Sequence, residues 1–204
     1  MQGGAVPRRS PDRISRLTAI ARDDTMAEFY SDSHGERWGV MKQDRPMSCG
    51  IASAAMTEVY IKSQVQASME ATFRAISQRF PGNFKEEDGT SMDNVASILR
   101  SRGIHCYDNH NYGGGGVWPY LYAYASDRSP AICYISWGKG RGAHATVCIQ
   151  VYKSDQKCVF LDPGYGLVEF SGSQLPQYTV ADSAGNVKAR GTLTGEMILT
   201  RKGS

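Results

Sequence analysis

Midway along the 204 residues the spacing of apolar side chains changes, and that change limits the folds open to the chain. Before about Tyr124 apolar residues recur every three or four positions, as one face of a helix requires. From Ala131 onward they fall in short β-branched and aromatic runs. Cys49 to about Lys62 predicts a helix whose buried face carries Ile51, Ala54, Ala55, Val59 and Ile61. A second is predicted over 66–80, stopped by Pro81-Gly82. A third starts after Gly89-Thr90-Ser91 and ends at Gly103. Pro119 to Tyr124 predicts a short helix. The strand-like runs are Ala131–Trp137, Ala145–Val151 and Lys157–Leu161, with Lys153-Ser154-Asp155-Gln156 as a hairpin turn. Tyr165–Phe170 and Met197–Thr200 add short strands. Helices first and strands after predict an α+β domain with a mostly antiparallel sheet, not a βαβ fold.

The chain is long enough for one domain with a core and a tail. Residues 1–13, rich in Gly, Pro and Arg, predict disorder, and Ile14 to Asp24 has helix-compatible spacing. The expected division is a tail over 1–24 and one domain over 25–204. Residues 25–47 predict irregular structure, and Asn109 to Gly116 a mobile loop. The four glycines 113–116 are no phosphate loop, because no Lys-Ser or Lys-Thr follows them.

Hydrophobic content of 41% and charged content of 21% are those of a soluble globular protein. A net charge of +3 does not argue for a nucleic-acid partner. Arg8, Arg9, Arg13 and Arg16 cluster, but Asp12, Asp23 and Asp24 dilute them and no aromatics interleave. No stretch approaches the ~20 apolar residues that cross a bilayer, and the N-terminus lacks the apolar core of a secretory signal. Synthesis in a reducing cytoplasm is expected, with any export by a route that reads no cleavable signal. The five cysteines are an odd set without tight pairs, which argues against a disulfide framework. Cys133, Cys148 and Cys158 sit in apolar runs as small buried hydrophobes. Without a CxxC no structural zinc is expected, and no cofactor is implied.

Cys49 stands apart. It lies where the polar loop Gln43-Asp44-Arg45-Pro46-Met47-Ser48 gives way to the small-residue run Gly50-Ile51-Ala52-Ser53-Ala54-Ala55. A side chain at a helix N-terminus meets the positive end of the macrodipole, which favours negative charge there. Small neighbours let strands approach that first turn. His144, after Gly142-Ala143, opens a strand and suits a base. The other histidines do not: His34 and His110 lie in polar loops, and His105 precedes Cys106. Asp162 ends the next strand before Pro163-Gly164, and adjacent hairpin strands would set it beside His144 to fix the imidazole tautomer. Its bland reading, a turn-forming Asp-Pro-Gly, is compatible with that role. Gln43, six residues before the cysteine, is a candidate oxyanion donor together with the Cys49 N–H. Trp137 and Trp118 suit either a cleft wall or the core.

At Gln43 to Met56, Gly142 to Val147 and Phe160 to Gly166 the sequence resembles the papain-like cysteine peptidases. Within them it is similar to the bacterial double-glycine-leader peptidases and related papain-like effector proteases. Papain itself has a CGSCW-type run and an asparagine. Here Ser48-Cys49-Gly50, a shorter cysteine-to-histidine interval and Asp162 point to the compact bacterial branch. The resemblance implies a helical part carrying the nucleophile helix, packed on a C-terminal antiparallel sheet. It also implies a peptidase with Cys49 as nucleophile, His144 as base, Asp162 as its orienter and Gln43 in the oxyanion hole. A protein or peptide substrate follows, and an effector role is one expectation. With no transporter segment, processing of leaders in cis is not expected. The same acyl-thioester chemistry serves peptidoglycan amidases, deamidases and acyltransferases. A catalytically silent binding module is the non-enzymatic alternative, against which all four filled positions speak.

Overall fold

A computed structural model describes residues 27–64, 69–109, 116–138 and 142–202. The expected disordered tail and the helix over 14–24 lie outside these residues, as do 66–68 of the second helix and 110–115 of the glycine loop. Four α-helices are described: α1 (Cys49–Lys62), α2 (Met69–Ser77), α3 (Met92–Ser101) and α4 (Val117–Tyr124). The strands are β1 (Ala27–Ser31), β2 (Arg37–Met41), β3 (Ile104–Asn109), β4 (Ala131–Ser136), β5 (Ala143–Tyr152), β6 (Lys157–Asp162), β7 (Gly166–Ser171), β8 (Gln177–Ala181) and β9 (Val187–Lys202).

Six of the strands form an antiparallel path in the order β3-β9-β4-β5-β6-β7, and β8 adds to β9. The alternation expected of a sheet covered on both sides sorts its residues into two cores. Ile132, Ala145, Val147, Val159, Leu161 and Ile198 face α1, α2 and α3. Cys133, Ile135, Cys148, Cys158, Phe160, Leu193 and Met197 face α4 and β8. The three strand cysteines are thus buried and unpaired, as their apolar settings predicted.

Helix α1 is buried on every side, not on one face: each residue from Gly50 to Ile61 is enclosed. A helix apolar all round belongs in the middle of a protein. Its one acidic residue, Glu58, takes a bidentate pair from Arg102 (2.9 and 2.8 Å) and a third contact from Lys62 at 3.1 Å. Gly50 is required by packing, since a Cβ there would stand 2.8 Å from Thr90 Cγ2 and 3.2 Å from Val95 Cγ2. Ser91 caps α3 by accepting from Asn94 N–H, and α3 ends before Gly103, whose φ is +74°.

Of the stretch expected to be irregular, 42–47 is loop, as expected, but 27–41 is not: β1 and β2 form a hairpin pairing Tyr30 with Trp38. Asp32 closes its turn, accepting the N–H groups of His34 and Glu36, the Trp38 indole at 2.8 Å and the Tyr152 hydroxyl at 2.5 Å. Strands this short give little alternation to read, and the polar turn between them masks it. Helix α2 ends at Ser77, not at 80. There Ser77 Oγ accepts from Phe84 N–H and donates to Asn94 Oδ1. Strands β3 and β8 had no reading of their own, and β9 extends far beyond Met197–Thr200.

Asn94 is fully buried. Its amide N–H groups serve the carbonyls of Ser77, Phe80 and Pro81, and its oxygen accepts from Ser77 and Thr90 hydroxyls. It fastens α3 to the end of α2 and to the 80–90 segment. Asn94→Ala is expected to lower unfolding free energy by roughly 2–3 kcal/mol, because several buried groups lose their partner at once. Urea unfolding measures it, and a change under about 0.5 kcal/mol would contradict this account of the anchor.

Candidate active site

The chain reaches Cys49 through a tight loop. Ser48 N–H and its hydroxyl both donate to the Arg45 carbonyl, at 3.2 and 3.0 Å, and Arg45 N–H donates back to Ser48 Oγ. The loop is also tied outward: Gln43 N–H donates to Pro163 O at 3.0 Å, Asp44 N–H to Glu70 Oε2 at 2.9 Å, and the Asp44 carboxylate accepts from Arg74. The first intrahelical bond runs from Ala52 N–H to Ser48 O, so the amides of Cys49, Gly50 and Ile51 have no partner within the helix. The small-residue run does what its sizes predicted: Ser53 Oγ reaches the β5 backbone at Ala145 O, 3.2 Å away.

The β5–β6 register pairs Val147 with Leu161, which makes His144 and Asp162 diagonal neighbours on one face of the hairpin. His144 Nε2 meets Asp162 Oδ1 at 2.8 Å. With Nε2 engaged, Nδ1 is the ring nitrogen left for Cys49, which lines the same cleft and is close enough to raise the imidazole. The structure therefore brings Cys49, His144 and Asp162 together.

Asp162 is wholly buried, and its carboxylate is fully used. Oδ1 also accepts the N–H groups of Gly164 (2.8 Å) and Tyr165 (3.0 Å), so its turn-forming role coexists with the histidine contact. Oδ2 accepts the hydroxyl of Tyr178, from β8, at 2.6 Å. Burial alone would push the His144 imidazole down. The hydrogen bonds to Asp162 and Cys49 and the charges of both outweigh it, raising the ring from its ordinary 6.5 to about 10.

Trp137 stacks on the imidazole, with centroids 5.4 Å apart and planes at 29°, and Tyr165 meets it edge-on at 6.1 Å. Trp137 has room because β9 carries Gly191 beneath it; a Cβ there would stand 2.6 Å from its ring and from Ile135 Cγ2. Of the two tryptophans, then, Trp137 walls the site, while Trp118 packs against Gly172 in the core on the α4 side.

A cleft runs to both sides of Cys49 and His144. One arm, of about 480 Å³, is bordered by Met47, Glu87, Asp88, Thr90, Met92 and Tyr134. The other, of about 340 Å³, is bordered by Gln43, Pro46, Trp137, Gly164 and Tyr165. Gln43 thus lies at the site, but its amide N–H groups donate to Arg45 O (2.8 Å) and Pro46 O (2.7 Å). Its side chain braces the loop in this state.

Reading along the sequence did not single out Tyr178, Tyr165 or Glu70. Tyr178 lies in a strand with no distinctive pattern, and Tyr165 looked like the start of a strand. Glu70 is pushed up to about 7, first by burial and then by the neighbouring Asp44 carboxyl. An acidic residue in the first turn of α2 carries no signal that it will sit beneath another element's loop. Among the described residues no cluster of His, Cys, Asp and Glu could hold a metal ion.

No family model matches the sequence, and no curated protein matches it. Solved structures do. One is a double glycine motif protease from an AMS/PCAT transporter, in complex with its leader peptide, at 18% identity and a TM-score of 0.53. The likeness covers 80% of this chain and 90% of that one. Another is the peptidase domain of Streptococcus ComA, a bifunctional ABC transporter of a quorum-sensing pathway, at 15% identity and the same TM-score of 0.53. It covers 80% of this chain and 97% of that domain. With its helical part packed on a large antiparallel sheet and its candidate site where α1 meets the β5–β6 hairpin, the chain has the papain-like fold, similar to that of the double-glycine peptidase domains.

Proposed function

We propose that this protein is a cysteine endopeptidase whose nucleophile is Cys49. The observation that carries the reading is the chain of contacts from a helix-start thiol through His144 to a buried carboxylate, lying within a cleft open on both sides. A cleft with two arms admits an extended chain on both sides of the scissile bond, which favours internal cleavage over trimming of ends. That a similar structure was solved with a leader peptide supports a peptide as the substrate class.

The chemistry follows from the positions. The Cys49 sulfur, paired with imidazolium, attacks the substrate carbonyl, and the negative charge that develops on its oxygen is met by the Cys49 N–H. Gln43 joins as second donor by exchanging one of its bonds to the Arg45 and Pro46 carbonyls for the oxyanion. Imidazolium His144 then protonates the leaving amine as the carbon–nitrogen bond breaks, leaving an acyl-thioester. Neutral His144 takes a proton from water, whose oxygen attacks the thioester, and the acid product leaves with the thiol restored. Asp162 holds the ring orientation and its charge throughout.

Incubated with a peptide library, the wild-type protein is expected to cut internal bonds and Cys49→Ala to cut none; cleavage that survives in Cys49→Ala would refute the assignment. Release of cell-wall fragments or ammonia with no peptide cleavage would instead assign the site to an amidase or a deamidase. A chloroacetamide probe near neutral pH should label Cys49 ahead of half-buried Cys106, and leave Cys133, Cys148 and Cys158 untouched behind their burial.

The raised imidazole fixes a pH signature. Protonated His144 is needed to expel the amine, so the alkaline limb of kcat/KM should lie well above neutrality, toward its value of about 10. Asp162→Asn removes the charge that supports imidazolium and should shift that limb downward, with a loss on the order of a hundredfold or more in kcat. A limb that stays in place would contradict the pairing. The same raised value makes a stability contribution that is complete below the ordinary 6.5 and is lost as pH rises through about 10.

A further inference from the structure

The carboxylate that orients His144 is itself held by a phenol. Tyr178 is fully buried, and its ring is wedged among Phe160, Phe170 and Trp137, with centroids 5.8, 4.9 and 6.1 Å away. Its strand register pairs it with Gly191, the residue that makes room for Trp137. One backbone position therefore sets both the ring that stacks on His144 and the hydroxyl that reaches Asp162. That hydroxyl stands 2.6 Å from Oδ2, the oxygen that His144 does not use. Burial first, and then the Asp162 charge, push the phenol's pKa well above its ordinary 10, so it remains a donor across the working range.

We propose that Tyr178 is a positioning residue for the His144–Asp162 pair: its hydroxyl fixes the carboxylate against the imidazole and takes up part of the carboxylate's charge. This rests on His144 as the base assigned above. Two states of the pair are to be compared. With His144 protonated, imidazolium already neutralises the carboxylate, and the phenol bond adds less. With His144 neutral, the buried carboxylate is bare on that side and the phenol bond is stronger. Tyr178 therefore stabilises the neutral-ring state more and keeps the imidazolium from being held too tightly to give up its proton. Among the described residues, the titratable groups facing the pair are Cys49 from α1, Tyr165 from the turn after β6, and Tyr178 itself. Cys133 of β4 faces Tyr178 and is kept neutral by burial. Tyr134 of β4 faces Cys49, with Glu196 of β9 beside it, and Glu87 and Asp88 stand on the cleft wall.

The role predicts a sign that a purely structural hydroxyl would not. Following the imidazole nitrogen resonances of His144 against pH in a Cys49→Ala background reads the pair without a thiol titrating beside it. The Cys49 contact raises the ring, so removing it also brings the midpoint down into an accessible range. Loss of the resonance in His144→Gln assigns it. Tyr178→Phe should raise the midpoint by roughly half to one pH unit, opposite in direction to Asp162→Asn. In the otherwise wild-type enzyme Tyr178→Phe should lower kcat more than it changes KM. Difluorotyrosine placed at 178 keeps the shape but donates more strongly, and should lower the midpoint; it carries the test alone if Tyr178→Phe does not fold. An unmoved midpoint in either folded variant, or shifts of the same sign in both, would overturn the proposal. The titration uses no substrate, so a protein that shows both shifts but cuts no peptide would sink the peptidase reading and support this one.

Discussion

A carboxylate buried without any exposure to water is costly unless every lone pair it presents is met, and Asp162 is that group here. It draws four donors from three parts of the chain: the His144 ring from β5, two backbone amides of the turn after β6, and the Tyr178 hydroxyl from β8. Because the charge needs all of them, their positions are not independent. The turn 163–165 is shaped by the same oxygen that orients the imidazole, and that turn holds Gln43 through the Pro163 carbonyl. The loop leading to Cys49 is thus registered to His144 through Asp162.

The other half of the site is set by packing. Helix α1 is enclosed along its length, and its small first turn lets α3 press on Gly50 while Ser53 reaches the backbone of β5. Those contacts bring the Cys49 end of the helix to the point where β5 begins, which is where His144 stands. Trp137 then covers the imidazole, in space that Gly191 leaves open. Burial alone would lower the ring, and it is raised because the Asp162 and Cys49 partners outweigh that cost.

What the sequence made legible was what has a local signal. The candidate site residues carried such signals: Cys49 where a polar loop meets a small-residue helix, and His144 and Asp162 where each borders a strand of one hairpin. The order of helices before strands gave the fold class. The β1–β2 hairpin was missed because two five-residue strands flanking the polar turn 32–36 show almost no period. Tyr178 was missed for a different reason: its partner is far away in the chain, and only the pairing of β8 with β9 aims the hydroxyl at Asp162. The Gln43 amide shows the limit from the other side, since position placed it at the cleft but not the two carbonyls that occupy its N–H groups.

The central claim is that Asp162 acts on the chemistry through His144 and in no other way. A double-mutant cycle in kcat/KM tests it directly, using Asp162→Asn, His144→Ala and the double variant on the fastest-cleaved peptide. The account predicts that the double variant is no slower than His144→Ala alone, because an orienter has no effect once the ring it orients is gone. Penalties that multiply, each variant losing its full factor in the presence of the other, would contradict it.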